Sequence, residues 1–297
     1  MHTQDSLRER GIRWLLAGFA LCSLLALFGI MLFLVAEGLP LFASCTPIDF
    51  FFGTLWYPTA EPPEFGVFPL IAGSVSVMLL AMCMAVPLGV LTAAYLTEIA
   101  AGGVRRIVKP FIELLAALPS VVIGFFGMVV VAPFLQTTFE LTTGLNLFNA
   151  ALMLAFMSVP TICSVAEDAI FAVPRDLREA SLALGATRWE TTIRVVLPAA
   201  LSGIGTAVML GMSRAIGETM VVLMVAGGAA MLPESVFDPV RPMPASIAAE
   251  MAEAPFRGEH YYALFATGLV LFMFTLCCNM LAHYVSEKYK QVGSSGL

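Results

Sequence analysis

Two opposite charges lie inside an otherwise apolar stretch of the chain, "SRAIGETM", residues 213–220. Arg214 and Glu218 are four residues apart, so on a continuous helix they share a face one turn apart. An arginine at the centre of a bilayer costs about 2.5–3.5 kcal/mol on insertion scales, so such residues face a partner or a water-filled cavity. A guanidinium also offers paired hydrogen bonds to an oxyanion. The pair predicts either an anion path or a structural ion pair between helices.

If the pair lies on an anion path, Glu218 has a clear use. A bare buried arginine would hold a multiply charged anion too tightly for release. We therefore expect Glu218 to compete with the anion for Arg214. Small residues that let another helix approach closely recur every four positions beside the pair. They are Gly203, Ala207, Gly211, Ala215 and Thr219. This stripe predicts that Arg214 and Glu218 line a seam between helices and do not face lipid.

The composition requires a membrane to position these residues. The chain has 297 residues, of which 59% are hydrophobic and 12% charged, a balance that no soluble domain of this size could bury. A span needs roughly 20 apolar residues, and continuous runs of that length favour helices over a closed barrel. The sequence therefore predicts an all-α polytopic membrane protein with six spans. They lie at roughly 14–36, 67–97, 111–135, 147–172, 199–232 and 260–284.

Basic residues set the predicted orientation, because cytoplasmic connections are enriched in Lys and Arg. Every basic residue except Arg214, Arg241 and Arg257 falls in connections on one side of the predicted bundle. Both termini are therefore predicted to be cytoplasmic. No basic patch with interleaved aromatic residues is present, so no nucleic-acid partner is expected. The cysteine spacings match neither a metal site nor a disulfide framework.

The connection after the fourth predicted span, "VPRDLREASLALGATRWETTIRVVLP", has the pattern of a short surface helix. Pro174 suits the first turn of a helix, and Asp176 complements the helix dipole there. Gly185 ends that helix, and a second helix carries Trp189 toward Pro198. Small residues at 180 and 181 would allow close contact with a partner, and Glu179 offers it a charge. The sequence predicts a helix across the inner mouth of the bundle at about 175–190.

This segment resembles the coupling motif of ABC importer membrane subunits, in which a helix docks on a cytoplasmic ATPase. The matching residues are Glu179, Ala180, Ser181 and Gly185, with Ser181 in place of the usual alanine. The chain has no G-x-x-x-x-G-K-[ST] loop to hold ATP phosphates. The resemblance therefore implies that a separate ATPase chain uses ATP and Mg, and that this chain is a transport subunit and not an enzyme.

Three further stretches, "LPSVVIGFFG" (118–127), "SRAIGETMVV" (213–222) and "RPMPASIAAEMAEA" (241–254), resemble the phosphate-specific ABC importer permease of the PstC type. The resemblance implies a MetI-like fold in the bacterial inner membrane and a substrate path through Arg214 and Glu218. It implies a second related permease, two ATPase copies and a periplasmic phosphate-binding protein as partners, with no cofactor or metal bound by this chain. Residues 1–66 would form an N-terminal unit, 67–286 the permease core and 287–297 a polar tail.

Other functions fit parts of the pattern. Arginine recognises oxyanion geometry in general, so a sulfate or molybdate permease is an alternative. A proton-coupled secondary transporter could use Arg214 and Glu218 as a relay. An intramembrane hydrolase would need Ser213 beside a histidine, whereas the histidines fall at the predicted membrane faces. The coupling pattern argues against the last two.

Four acidic residues near the inner face, and one polar residue outside, have predicted structural roles. We expect Glu98 and Glu113 to balance the basic cluster at 105–109, and Glu167 and Asp168 to pair with Arg175 or Arg178. On the outer side, the alanine-rich stretch after 245 predicts a helix capped by Ser246.

Overall fold

A computed structural model describes residues 2–288 of the chain, and the predicted tail at 287–297 lies almost wholly outside this range. Five helices of the described range are long and apolar enough to cross a bilayer. They are Gly11–Ala43, Phe68–Ile99, Ser120–Thr138, Leu147–Phe171 and Glu259–Leu281. The fifth predicted span, at 199–232, corresponds to a pair of helices, Arg188–Ala199 and Leu201–Ile216, bent by 70°. Six spans are therefore reached only when the bent pair counts as one.

The first helix, α1 (His2–Gly38), continues as a 3-10 turn at Leu39–Ala43. It packs against the last helix of the described range, Glu259–Lys288, through an edge-to-face contact of Phe33 with Phe265. The first outer connection, which follows α1 in the chain, contains a short helix and one strand pair. These elements are α2 (Pro47–Phe52), β1 (Trp56–Tyr57) and β2 (Glu64–Phe65), with the strands antiparallel.

The centre of the bundle begins with α3 (Phe68–Ala94), which ends in a π-helical turn at Tyr95–Ile99. The next elements along the chain are α4 (Gly102–Ala116), α5 (Ser120–Phe126), a π turn at Gly127–Val131, α6 (Ala132–Thr138) and α7 (Leu147–Phe171). Gly89 of α3 approaches Ile162 of α7 so closely that an added Cβ would lie 2.7 Å from its Cγ2. Because helices this close exclude lipid between them, α3 and α7 form the buried core.

The third predicted span, at 111–135, is wrong at its start. Residues 111–116 belong to α4, a separate helix with no buried residue, and the span itself begins at Ser120. Pro119 explains the break, because a proline lacks the backbone N–H and disfavours helical geometry in the residue before it. Pro87 and Pro160, by contrast, remain inside α3 and α7.

The connection after α7 has the predicted helix–turn–helix form. It consists of α8 (Arg175–Ala183), α9 (Arg188–Thr191), a π turn at Thr192–Val196 and α10 (Leu197–Ala199). The chain then continues as α11 (Leu201–Ile216) and α12 (Met220–Val225). We call the end of the bundle that carries α8 the inner end.

The expected span at 199–232 is wrong in its second half, because helical structure stops at Val225. Gly227 and Gly228 have positive φ angles of 91° and 71°, which turn the chain back toward the bundle. A short helix, α13 (Met243–Glu250), follows, and α14 (Glu259–Lys288) ends the described chain. Ser246 lies within α13 and does not cap it, because the helix already starts after Pro242. We call the end that carries α13 the outer end.

Candidate functional site

Arg214 and Glu218 do not lie on one continuous helix, contrary to the sequence-based prediction. The helix α11 ends at Ile216, and α12 starts at Met220, so Glu218 lies in the break between them. Its Oε1 accepts hydrogen bonds from the backbone N–H groups of Met220 (3.1 Å) and Val221 (3.3 Å). Within residues 2–288 no ion pair joins Arg214 to Glu218. The carboxylate is held by the start of α12, where N–H groups lack helical partners.

Arg214 lies on an open face of α11. Its side chain is exposed, and in the described part of the chain it has neither an ion pair nor a hydrogen bond. Leu210 and Gly217, one turn to either side, are exposed as well. An unpaired guanidinium on an apolar helix face is unfavourable in lipid. The sequence predicted that Arg214 lies in a seam between helices. Within this single chain that prediction is wrong, because the side chain is exposed.

The predicted stripe of small residues does form a seam. Ala207, Gly211 and Ala215 are buried, and a Cβ added to Gly211 would lie 2.6 Å from Cγ1 of Ile162 on α7. A Cβ added to Gly203 would lie 2.4 Å from the Cβ of Ala169. Thr219, the last residue of the predicted stripe, falls in the break after α11. The stripe therefore joins α11 to α7 and leaves Arg214 beside it, about 100° around the helix axis from Ala215.

Glu218 is half-buried under the segment that contains α13, which folds back onto the outer end of the bundle. The space around it is lined by Ser74 and Met78 of α3, Leu154 of α7, and Pro242 and Pro244 at the start of α13. The hydroxyl of Ser74 accepts a hydrogen bond of 2.8 Å from the backbone N–H of Met243, which fastens α13 to α3. The short outer helix thus covers Glu218 from the outer end.

Ser213, beside Arg214, donates a hydrogen bond of 2.5 Å to Oδ1 of Asn279 on α14. The hydroxyl is therefore engaged with an amide and not with a base. His260 lies in a different cluster at the outer end, 2.9 Å from Glu250. Among the described side chains Ser213 therefore has no histidine partner, which argues against the hydrolase alternative.

The predicted coupling residues lie on a projecting turn at the inner end. Glu179 and Ala180 are exposed on α8, and Gly185 has a φ angle of 87°, which favours glycine. Ser181 is within 2.9 Å of the Thr191 hydroxyl, so the serine that replaces alanine in the motif joins α8 to α9. Leu184 is 90% exposed and Trp189 57% exposed. The turn therefore presents apolar side chains away from the bundle.

A capping box fixes the second half of this turn. The Thr187 hydroxyl accepts a hydrogen bond from the backbone N–H of Glu190, while the Glu190 carboxylate accepts one of 2.9 Å from the backbone N–H of Thr187. The start of α9 is thus fixed in place.

The ion pairs at the inner end differ from the predicted ones. Glu167 is 2% exposed and pairs with Arg105 (2.7 Å) and Lys109 (3.3 Å) of α4, not with Arg175 or Arg178. Glu98 pairs with Arg178 at 2.9 Å and not with the basic cluster. The observed partners differ from the predicted ones because of helix packing: α4 lies along α7, and α8 lies below the end of α3.

Sequence reasoning missed a cluster at the outer end centred on Glu250. This carboxylate accepts hydrogen bonds from Trp56 Nε1, Arg241 Nη1 and Ser246 Oγ, and it contacts His260. Its side chain is only 13% exposed. The sequence did contain one indication of this cluster, the four-residue spacing of Ser246 and Glu250, which places both on one face of α13.

Comparison with known proteins agrees with this architecture. Residues 85–291 match the family described as binding-protein-dependent transport system inner membrane component. The probable ABC transporter permease protein YqgH of Bacillus subtilis is 39% identical over 280 residues, which cover 94% of this chain and 91% of the relative. The phosphate transport system permease protein PstC of Mesorhizobium japonicum is 39% identical over 250 residues, covering 77% of this chain and 75% of the relative.

Two solved structures share the fold. A subunit of a bacterial alginate ABC transporter superposes with a TM-score of 0.65 at 18% identity, covering 94% of this chain and 96% of that one. A subunit of the MetNI methionine ABC transporter gives a TM-score of 0.57 at 20% identity, covering 76% and 95%. Together with the family match over most of its length, these findings mean that the chain belongs to the inner-membrane components of binding-protein-dependent transport systems.

Proposed function

We propose that this chain is a permease subunit of an ATP-driven importer that passes inorganic phosphate across the bacterial inner membrane. The observation that carries the proposal is the projecting turn at the inner end, with Gly185 at its bend and Leu184 and Trp189 exposed. Exposed apolar groups of this kind mark a protein–protein contact. The PstC name of several relatives supports phosphate as the substrate.

The partner at the inner end is a cytoplasmic ATPase, present in two copies in the whole importer. In this proposal the inner end and both termini face the cytoplasm, and ATP and Mg are used by the ATPase chains. Leu184 and Trp189 would enter an apolar groove, while Glu179 would meet a basic group of the ATPase. Gly185 supplies the left-handed bend that lets both halves of the turn reach the same partner.

The open face of α11 has a different partner, a second related permease. Arg214 is exposed there at membrane depth, so a protein surface must replace lipid around its charge. The path for the anion would lie between the two permeases. Arg214 would offer its fork of N–H donors to phosphate oxygens that a periplasmic phosphate-binding protein delivers at the outer end.

The mechanism that follows is alternating access. Closure of the ATPase chains moves α8, and the bundle then exposes Arg214 to the outer side, where the anion enters. The charge of Glu218 keeps the empty site near neutrality and favours release. Because the fork of an arginine also fits sulfate or molybdate, those anions are the competing substrates to be compared with phosphate.

The experiment is co-purification from a detergent extract followed by assay in proteoliposomes. We expect an ATPase and a second permease to co-purify, and phosphate with its binding protein to stimulate ATP hydrolysis more than sulfate or molybdate does. Glu179→Lys and Gly185→Val should insert normally yet uncouple hydrolysis from uptake. Glu113→Lys, a charge reversal at an exposed residue of α4, is the matched control.

Two results would contradict the proposal. One is unchanged coupling in both Glu179→Lys and Gly185→Val. The other is transport by the purified chain alone, driven by an ion gradient with no partner, which would favour a secondary transporter.

A further inference from the structure

We propose that Arg178 is the positioning residue that links α8 to the membrane-spanning core, through Glu98 and the end of α7; the inference rests on the proposed docking of α8 on an ATPase. Arg178 donates from Nη1 to the carbonyl of Val173 (2.8 Å) and from Nη2 to the carbonyl of Ile170 (2.8 Å). Nη2 also lies 2.9 Å from Oε1 of Glu98. One guanidinium thus holds three segments together.

Both sets of groups that accept hydrogen bonds from Arg178, the carbonyls at the end of α7 and the carboxylate of Glu98, are suited to a cation. The carbonyls of Ile170 and Val173 lie in the last turn of α7 and just beyond it, where the helix dipole favours positive charge. Glu98 lies in the π turn that ends α3, and such turns are frequent at functional positions. The side chains of Arg178 and Glu98 are 20% and 14% exposed, so solvent screens the pair only partly.

No other side chain of α8 replaces this link. Among the described residues, the remaining hydrogen-bonded side chain of α8 is Ser181, and its partner Thr191 belongs to α9. The helix has no buried residue of its own. The Nε of Arg178 is buried without a partner, so only the two terminal nitrogens hold the guanidinium. Apart from the backbone at 172–174, which joins α8 to α7, these few bonds are therefore the side-chain route from α8 to α3 and α7.

The link leads to the proposed anion path. The helices α3 and α7 pack tightly, and α7 in turn packs on α11, which carries Arg214, through the small residues at 203, 207 and 211. A pull on Ile170 and Glu98 would thus move α3 and α7 together relative to the open face of α11. An arginine is required, because its planar fork reaches two carbonyls and a carboxylate at once, which a lysine ammonium does with poorer geometry.

The test uses the whole importer, with its ATPase chains and binding protein, in proteoliposomes. Arg178→Gln should still co-purify with the ATPase but lower phosphate uptake per ATP hydrolysed by about tenfold, since bonds to charged groups are lost. Arg178→Lys should restore part of the ratio, and Glu98→Gln should lower it less than Arg178→Gln. Arg106→Gln, an exposed residue of α4 at the same end, should keep the wild-type ratio.

Each outcome decides the matter. A wild-type ratio in assembled Arg178→Gln and Glu98→Gln importers overturns the inference, and so does an equal loss in Arg106→Gln. If Arg178→Gln fails to assemble, Glu98→Gln carries the test, because its amide oxygen still accepts a hydrogen bond. If the wild-type chain does not co-purify with an ATPase, the proposed function fails, and the inference falls with it.

Discussion

The indole nitrogen of Trp56 lies 3.0 Å from Oε2 of Glu250, a hydrogen bond between residues 194 positions apart in the sequence. Trp56 is 2% exposed and belongs to the strand pair of the first outer connection, whereas Glu250 ends α13. The bond therefore joins the two outer connections above the bundle. Because Glu250 also accepts from Arg241, its carboxylate fixes the segment that covers Glu218.

Removal of this carboxylate should destabilise the outer end. Glu250→Ala leaves Trp56, Arg241 and Ser246 without their common acceptor, and we expect a loss of about 3 kcal/mol in the free energy of unfolding. Trp56→Phe removes a single donor and should cost about 1 kcal/mol. Thermal unfolding in detergent measures both, with Glu253→Ala at an exposed neighbouring acid as the control. Equal effects of Glu250→Ala and Glu253→Ala would contradict the role of the cluster.

The seam between α11 and α7 gives a second prediction. Gly203→Ala and Gly211→Ala place a methyl group 2.4 Å from Ala169 and 2.6 Å from Ile162, so the helices must separate, at a cost of about 1–3 kcal/mol. Gly205→Ala meets nothing within 4 Å and should be neutral or slightly stabilising, because alanine is the better helix former. Melting temperatures of the three variants in one detergent provide the comparison, and a loss in Gly205→Ala as large as the others would exclude the seam as the cause.

Sequence reasoning predicted what depends on local pattern. Apolar runs placed four of the six spans to within a few residues at nearly all of their ends, and the motif around Gly185 placed the projecting turn, because hydrophobic length and a left-handed bend are properties of short segments. The break at Gly217 was missed, since residues 213–222 read as one apolar helix. The partners of Glu98, Glu167 and Glu250 were missed too, because they lie on helices distant in sequence, and a pairing of that kind is decided by which helices pack together.

Cys45 offers a test of orientation and of local charge. It lies beyond α1 in the first outer connection, where burial, then Asp49 and Glu259, raise the pKa of its thiol. Since the thiolate is the reactive form, labelling by a membrane-impermeant maleimide at pH 7 should be slower than for a free thiol, whose pKa is about 8.5, and its increase with pH should be displaced to higher pH. Asp49→Asn removes one negative charge and should speed the reaction.

The measurement is mass-spectrometric labelling of intact cells. Cys45→Ser is the control, because the remaining exposed cysteines of the described chain lie within spans, out of reach of the reagent. Labelling of Cys45 from the cytoplasmic side alone would invert the proposed orientation. A slower reaction in Asp49→Asn would contradict the electrostatic cause.

Substitution can separate the structural role of Glu218 from its proposed role in transport. Its Oε1 accepts hydrogen bonds from the N–H groups that begin α12, and in the proposed mechanism its charge offsets that of Arg214. Glu218→Gln keeps an acceptor oxygen in the same place and removes only the charge, so the fold should lose less than about 1 kcal/mol. Glu218→Ala removes both and should lower the melting temperature further, because two N–H groups of α12 lose their partner.

Transport should respond to the charge and not to the cap. In Glu218→Gln, the anion on Arg214 has no competing carboxylate, so release slows and phosphate uptake by the assembled importer falls, while phosphate remains bound longer in a chase experiment. Arg214→Gln should instead lose anion binding altogether. If Glu218→Gln imports phosphate at the wild-type rate and only Glu218→Ala is impaired, Glu218 acts as a helix cap, and its charge takes no part in release.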